Sequence, residues 1–212
     1  MEDSSRQDKT SGSGSAPDTH VDAGKGPGRD VLDGVRRGDP AAMAEFFEWC
    51  FDRVYSLAVR LLGDRSTAED VTQDVFIKIQ RAAGTIDPER DPMRWITAIV
   101  YNTCRDLWRS CSHKVSSEGT PIDEMNGRSD APVAAAPGPE EAVLSAERER
   151  QVEAALMRLP EDLRVVVVLR DYHGMRHERI ARIVDSSEEA VRKRYSRALS
   201  KLAEELKEYW HD

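Results

Sequence analysis

The 212-residue sequence is short of aromatic residues, cysteine and long apolar runs. No apolar run reaches the length of a membrane-spanning helix, and the first residues contain no hydrophobic signal core. The three cysteines, Cys50, Cys104 and Cys111, fall at apolar helix positions or at a helix end, which favours reduced thiols and predicts a cytoplasmic protein. A zinc site built from Cys104, Cys111 and His113 is conceivable, but the spacing matches no common zinc pattern.

The sequence also lacks the motifs of an enzyme. It has no glycine-rich phosphate loop, no pair of histidine ligands on one helix and no nucleophile in a recognisable setting. We therefore expect neither catalysis nor a cofactor. The carboxylates Glu69, Asp70 and Asp74 could suggest a metal site, but they lie where a helix cap and a solvated face would place them.

The net charge of −8 excludes a protein that coats nucleic acid through its overall charge. Any DNA binding must use a local basic surface or the help of a partner. Such a surface occurs over residues 187–201, where the two acidic residues stand in the first turn of a predicted helix, as the helix dipole favours. Its five basic residues are Arg192, Lys193, Arg194, Arg197 and Lys201.

This basic segment is the last of three short helices predicted over residues 159–201. Pro160 begins the first helix and Gly174 ends it, while the spacing Ser186-x-x-Glu189 is a capping box that opens the third. Two short helices with a tight turn and a basic outer face are typical of a helix-turn-helix. A solvated helix face is the alternative for the last helix alone. Its apolar positions share one face: Val191, Tyr195, Ala198, Leu199 and Leu202.

Four consecutive valines, Val165–Val168, favour a strand by propensity. They stand between a helix start at Pro160 and a stop at Gly174, and the sequence offers no second strand for pairing. We therefore predict that they are helical.

Two segments are predicted not to fold. Residues 1–29 are rich in Gly, Ser and Asp and nearly free of large apolar residues, which indicates a disordered tail. Residues 112–140 are rich in Ala, Pro, Gly and Ser, which indicates a flexible linker. The remainder, 30–111 and 141–212, predicts two small helical domains and an all-α protein.

The first domain contains three well-marked helices, and Gly63 ends the first of them. Their starting motifs are Asp39-Pro40, Ser66-x-x-Glu69 and Asp91-Pro92. Their apolar residues recur at helical spacing and predict a core formed by Met43, Phe46, Phe47, Cys50, Val54, Leu57, Ala58, Leu61, Val71, Val75, Ile79, Trp95, Ile96, Ile99, Val100, Thr103 and Leu107.

Three blocks together resemble the extracytoplasmic-function (ECF) type of bacterial sigma factor. They are AEDVTQDVFIKI, DPERDPMRWITAIVYNTCRDLWR and LPEDLRVVVVLRDYHG followed by ERIARIV and EEAVRKRYSRALSKL. The resemblance covers about residues 30–111 and 141–206. It implies a protein that binds core RNA polymerase through the clamp helices and flap of the large subunits and directs it to promoters for DNA melting and initiation. No small-molecule substrate is expected.

The resemblance also implies roles for individual residues. Core polymerase would be bound by Asp70, Gln73, Asp74 and Lys78. The loop from Thr85 to Met93 would receive a flipped base of the minus-ten element, whose contacts would come from Asp87, Arg90, Asn102, Arg105 and Arg109. The minus-thirty-five element would be read by Arg192, Lys193, Arg194, Ser196 and Arg197. Trp95 begins an apolar stripe and is assigned to the core rather than to base stacking.

The chain departs from the family pattern at the turn. Asp185 and Ser186 stand where glycine and an aliphatic residue are usual, and Arg176 stands where a serine or threonine cap is usual. Family members are commonly held inactive by an anti-sigma partner, for which an apolar seam between the domains would be the target. Two other classes stay open, a regulator that binds operators by itself and a protein-only adaptor.

Overall fold

The computed structural model describes residues 26–118 and 139–207, with side chains over 26–111 and 147–207. These parts consist of helices and connecting turns, with no strand among them, which confirms the all-α prediction. The predicted tail lies outside the described residues up to residue 25, and so does the predicted linker over 119–138.

The first half of the structure contains four α-helices and a short 3-10 turn. The helices are α1 (Arg29–Arg37), α2 (Pro40–Leu62), α3 (Arg65–Ala82) and α4 (Pro92–Glu118), and the 3-10 turn spans Ala83–Thr85. As expected, Asp39 caps α2 through its carboxylate, which accepts a hydrogen bond from the Ala41 amide at 2.9 Å. Helix α4 continues through residues 112–118, which form the start of the predicted linker.

Two predicted capping boxes are wrong in the position of the cap. Helix α3 is capped by Asp64 rather than Ser66, since the Asp64 carboxylate accepts hydrogen bonds from the Thr67 amide at 2.7 Å and from its hydroxyl. These bonds hold the pKa of Asp64 below its usual value. In the last helix the cap is Ser187, whose Oγ accepts from the Ala190 amide at 3.1 Å, rather than Ser186. In both helices, a polar side chain near the one in the motif is better placed to accept a hydrogen bond from a backbone amide of the first turn.

The second half contains α5 (Pro139–Arg158), α6 (Glu161–Val167), a π-helical turn (Val168–Tyr172), α7 (His177–Ile183) and α8 (Glu188–Glu205). The valine segment is helical, as predicted. Val165, Val166 and Val168 pack into the core of the first domain, whereas Val167 packs against Leu156, Leu159 and Ala198 of the second. The run is continuously apolar because two cores meet on this helix.

The two predicted domains therefore pack against each other. The core of the first is formed by Phe46, Val54, Leu57, Leu61, Val75, Ile79, Ile96 and Val100, and it continues into the second through α6. The contact is close at Gly63, which ends α2 with a φ of 77°, since a Cβ there would lie 2.4 Å from Sδ of Met157.

Candidate nucleic-acid interface

Helices α7 and α8 form the predicted helix-turn-helix, and the turn between them uses Asp185 in place of glycine. Asp185 has a φ of 50°, in the left-handed region that aspartate tolerates better than most residues. The Ser186 amide donates to the carbonyl of Ala181 at 2.9 Å, which closes the turn. Arg176, the residue before α7, provides no side-chain cap for that helix. The turn therefore forms with Asp185 and Ser186, and α7 forms without a side-chain cap at Arg176.

The outer face of α8 is basic, as the sequence predicts. Arg192, Lys193, Ser196 and Arg197 are all exposed. Arg194 differs, because its guanidinium turns back toward α6 and lies 3.5 Å from the carboxylate of Asp162. The structure thus brings four of the five predicted readers together and separates the fifth.

The buried face of α8 is narrower than predicted. Val191 and Ala198 are buried, and Tyr195 is half-buried with its hydroxyl donating to Asp171 at 2.8 Å. Leu199 was expected on this face but is 43% exposed, because it lies one position past Ala198 and turns away from α6. The expectation for Leu199 was therefore wrong.

The basic residues of α8 differ in whether they form an ion pair with an acidic residue. Arg192 pairs with Glu188 at 2.5 Å and Lys193 with Glu189 at 2.7 Å, both one helical turn away. Exposed pairs of this kind contribute about 0–1 kcal/mol and are readily exchanged for phosphate. Among the residues that the structure describes, Arg197 forms no ion pair, so it can reach DNA without breaking one.

The acidic residues of the predicted minus-ten loop form hydrogen bonds and an ion pair within the loop. The Asp87 carboxylate accepts a hydrogen bond from the Glu89 amide at 3.1 Å and pairs with Arg90 at 2.9 Å. Asp91 accepts from the Met93 amide at 2.9 Å and so holds the start of α4. These contacts favour the loop conformation seen in the structure.

A cavity of about 430 Å³ lies beside this loop. Its wall includes three of the predicted minus-ten residues, Asp87, Arg90 and Asn102. Trp95 also lines the cavity, and its side chain packs against the core as well. Residues Arg179, Arg182 and Ile183 of α7 complete the wall. Their contribution could not be predicted from the sequence, because they lie in the other predicted domain.

Further along α4, Asn102 and Arg109 are exposed, whereas Arg105 is half-buried. The guanidinium of Arg105 lies 5.7 Å from the centre of the Tyr101 ring, and its Nε is buried without a hydrogen-bond partner. Neither Arg105 nor Arg109 lines the cavity. They continue the α4 face on from Asn102 at helical spacing.

The acidic strip of α3 lies beside an aromatic cluster that our prediction did not include. Asp70, Gln73 and Asp74 are exposed. Lys78 is directed elsewhere, because its Nζ donates to the Thr103 hydroxyl of α4 at 3.0 Å. The aromatic cluster consists of Phe47, Phe51, Tyr55 and Phe76.

The aromatic cluster is open to solvent at its centre. Phe51 is 50% exposed and stacks on Phe76 with ring centres 5.8 Å apart. Gln73 and Glu69 line a cavity of about 440 Å³ next to these rings. The spacing of Phe47, Phe51 and Tyr55 on α2 was the available signal, since it defines a second face beside the core stripe.

The structure gives no support to the metal sites considered above. Within the described residues there is no group of three or more His, Cys, Asp or Glu side chains placed to hold a metal ion. Burial raises the pKa of both the Cys50 and Cys104 thiols to about 12, which keeps them protonated. The side chain of His113 lies outside the described residues. None of the described helices combines the length and apolarity needed to cross a membrane.

Sequence comparison matches both halves of the chain to known families. Residues 47–113 match Sigma-70 region 2, and residues 149–202 match Sigma-70, region 4. The RNA polymerase sigma-H factor of Pseudomonas aeruginosa is 31% identical over 169 residues, covering 79% of this chain and 88% of that protein. The ECF RNA polymerase sigma-E factor of Escherichia coli is 31% identical over 171 residues, with the same coverage of 79% and 88%.

Two solved structures have a similar fold. CnrH in complex with the cytosolic domain of CnrY is 25% identical, with a TM-score of 0.57 over 84% of this chain and 96% of that chain. The sigma factor RpoE in complex with the anti-sigma factor NepR from Bartonella quintana is 22% identical, with a TM-score of 0.61 over 77% and 96%.

Proposed function

The chain belongs to the ECF family of RNA polymerase sigma factors, and from this membership we propose which of its surfaces bind the polymerase and which read the promoter. As a member it directs promoter recognition and transcription initiation through RNA polymerase. Sigma factors are non-catalytic initiation factors. The observation that carries the assignment is the occurrence, in order, of the region 2 match and a region 4 match that ends in an exposed basic helix.

Helix α8 is the reader of the minus-thirty-five element in this proposal. Arg192 and Arg197 have the reach and the donor geometry for guanine edges in the major groove, while Lys193 suits a phosphate. Ser196 stands on the same exposed face. Arg194 would act by holding α8 against α6 through Asp162. This assignment is supported by the exposure and direction of these side chains.

The loop beside the 430 Å³ cavity is the proposed minus-ten reader. The cavity has room for a single base, and Asn102 offers both a donor and an acceptor to a base edge. Asp87 and Arg90 shape the loop through their ion pair. Arg105 and Arg109 lie further along α4, where they can contact the phosphates of the strand.

The α3 strip and the aromatic cluster together form the proposed surface for core polymerase. Aromatic groups that are partly exposed and rimmed by acids suit a partner helix with an apolar stripe and basic flanks. Asp70, Gln73 and Asp74 supply the polar rim and Phe51 the apolar centre. Lys78 is better explained as a link between α3 and α4, because it contacts Thr103. Clamp helices of a large polymerase subunit are the expected partner here, and the polymerase flap that of the second domain.

A protein inhibitor is the remaining proposed partner. CnrH, which has a similar fold, was solved in complex with another protein, the cytosolic domain of CnrY. Because ECF family members are commonly held inactive by an anti-sigma factor, we propose a partner of that kind for the present chain. The chain would act in the cytoplasm, with RNA polymerase. Residues 30–111 and 141–212 remain the proposed boundaries of the two working domains.

The proposal is tested by transcription from purified components. Core polymerase, the full chain and fragments of the source genome are combined, and the transcripts are sequenced at their 5′ ends. We expect start sites that require both core and chain and that share two upstream elements. Transcripts that do not depend on the chain would contradict the sigma assignment. Repression of transcription by another sigma factor, without new starts, would favour the adaptor.

A further inference from the structure

A second cavity adjoins the base-receiving cavity, the 430 Å³ space beside the minus-ten loop. This second cavity, which we call the arginine cleft, has a volume of about 270 Å³. Its charged lining residues are Arg94, Arg176, Glu178, Arg179 and Arg182. Because Arg94, Arg179 and Arg182 also line the base-receiving cavity, the two cavities lie side by side and share part of their walls.

The arginine cleft concentrates positive charge in a chain that is acidic overall. Four arginines and one glutamate line the cleft, whereas the whole chain has a net charge of −8. Arg182 pairs with Glu178, and Arg179 lies 3.3 Å from the carboxylate of Asp91. Arg94 and Arg176 are exposed and form no ion pair with any residue that the structure describes. The cleft therefore offers two unpaired guanidinium groups to an anion.

The arginines of the cleft are also unfavourably close to one another. Burial and the positive charge of Arg94 lower the pKa of Arg179, although Asp91 acts in the opposite direction. The Nε of Arg179 is buried without a hydrogen-bond partner, so this side chain has an unused donor. A phosphate group between Arg94 and Arg179 would replace their repulsion by attraction. Arginine suits this role, because its planar donors bind phosphate oxygens in pairs.

The base-receiving cavity has a different lining from the arginine cleft. Its wall includes the apolar side chains of Ile86, Trp95 and Ile183 together with the amide of Asn102. Aromatic and apolar groups suit the face of a nucleobase, and an amide offers a donor and an acceptor to its edge. The volume of about 430 Å³ lies within the range of roughly 300–1,000 Å³ that is usual for small-molecule sites. The two cavities thus suit two parts of one ligand.

We propose that the two cavities together form a binding site for a free nucleotide that carries at least two phosphate groups. The base lies beside Trp95, and the phosphates lie in the arginine cleft with Arg94, Arg176 and Arg179. The nucleotide is a ligand and not a substrate, since no bond is made or broken. It occupies the space proposed for the minus-ten base and so opposes promoter reading. This consequence rests on the proposed role of the loop, whereas the site itself does not.

A promoter strand also carries phosphate groups and is the other source of this chemistry. A strand presents one phosphate per nucleotide, spaced along its backbone, whereas a nucleoside triphosphate presents adjacent phosphates. The four arginines line a single small cleft, which suits adjacent phosphates better than spaced ones. A free nucleotide is therefore the ligand that the cleft favours, and the strand is a separate arm of the test.

The test is calorimetric titration of the full chain with ATP, AMP and sodium tripolyphosphate at low ionic strength. EDTA is present so that no metal ion neutralises the phosphates. We expect ATP to bind about tenfold or more tightly than AMP, because it supplies additional phosphates. ATP should also bind more tightly than tripolyphosphate, because it supplies a base. Charge alone predicts the opposite order for this second pair, since tripolyphosphate is the more highly charged anion.

Variants of the two unpaired arginines locate the site. Arg94→Ala and Arg176→Ala should each weaken ATP binding about fivefold or more, because each removes a guanidinium from the phosphates. Both side chains are exposed, so helical circular dichroism should not change. Arg148→Ala is the matched control, since Arg148 is exposed on α5 and lines neither cavity. It removes the same charge from the chain and should leave ATP binding unchanged.

Failure of the unmodified chain to bind ATP would overturn the proposal. The same conclusion would follow if Arg94→Ala and Arg176→Ala bound ATP normally, or if Arg148→Ala weakened binding as much as they do. Equal affinity for AMP and ATP, or tighter binding of tripolyphosphate than of ATP, would exclude a nucleotide held through both its base and its phosphates.

Single-stranded oligothymidylate provides the strand arm of the test. Binding of this oligonucleotide that depends on Arg94 and Arg176, without binding of ATP, would assign the cleft to the promoter strand and overturn the nucleotide site. None of these results bears on the sigma assignment, because transcription with core polymerase tests that assignment separately. A chain that binds ATP but directs no transcription would keep the nucleotide site and lose the proposed function.

Discussion

At the scale of single residues, Arg197 and Lys193 are neighbours on α8 that should respond differently to replacement by alanine. Arg197→Ala should cost about 1–3 kcal/mol of promoter binding and relax the preference at one position of the upstream element, because a base contact is lost. Lys193→Ala should weaken all sequences alike and lower the salt slope by about one, because a phosphate contact is lost. Equilibrium binding of the holoenzyme to duplexes altered at that element measures both. Equal losses of specificity would contradict the assignment.

The cap of α3 is a second test at this scale. Asp64→Ala should lower the free energy of unfolding by about 0.5–2 kcal/mol, because the Thr67 amide loses its acceptor. Ser66→Ala, at the position that the motif favoured, is the control and should change little. The pKa of Asp64 is lowered in the folded state, so its contribution is present at neutral pH and is lost as acid protonates it. Urea unfolding at pH 7 decides between the two residues, and a larger effect from Ser66 would refute the cap.

His173 should also make the free energy of unfolding depend on pH. Its effect comes from burial of a base, whereas that of Asp64 comes from hydrogen bonds to a carboxylate. Burial, reinforced by Arg60 and Arg179, lowers its pKa from 6.5 to about 4. The unfolded chain therefore binds more protons between about pH 4 and 6.5, and the free energy of unfolding should fall as the pH falls through this window. Above pH 6.5 this histidine contributes no slope. His173→Gln should flatten the profile in denaturant titrations, and an unchanged slope would show that another group is responsible.

At the scale of helices, the sequence was sufficient to predict which segments are helical. It was not sufficient to predict which tertiary contacts those helices make. The stripes of α2, α3 and α4, the stop at Gly63 and the helix-turn-helix follow from spacing and caps, which act within a few residues. The continuous burial of Val165, Val166 and Val167 does not, because it depends on a second core supplied by distant residues. The inward turn of Arg194 toward Asp162 is likewise a tertiary contact. The helical periodicity of α8 alone could not distinguish Arg194 from its exposed neighbours.

The proposed polymerase surface gives a prediction at the helix scale. Asp70→Lys with Asp74→Lys should weaken capture of core polymerase at least tenfold, because like charges would then face a basic partner. Phe51→Ala should also weaken capture by removing the exposed apolar centre. Glu45→Lys is the control, since Glu45 is an exposed acid of α2 that lines neither the aromatic cavity nor the base-receiving one. Full capture by the α3 variant, with circular dichroism unchanged, would place the polymerase elsewhere.

At the scale of the whole molecule, the charge favours a protein that needs the polymerase in order to bind DNA. A net charge of −8 opposes binding of DNA by the free chain, and basic groups are concentrated on α8 and around the cleft beside α7. The two domains pack against each other, and residues of α7 line the cavity beside the proposed minus-ten loop. Core polymerase would hold the two domains at the spacing of the two promoter elements, so that binding of one raises the effective concentration of the other.

The affinity of the chain for one promoter duplex, measured with and without core polymerase, tests this account most directly. The account predicts weak binding by the free chain. Tight binding should appear only with core, and only when both elements are intact. Alteration of either element alone should reduce the affinity of the holoenzyme. Tight, sequence-specific binding by the free chain, unaffected by core, would contradict the account and identify a regulator that reads DNA by itself.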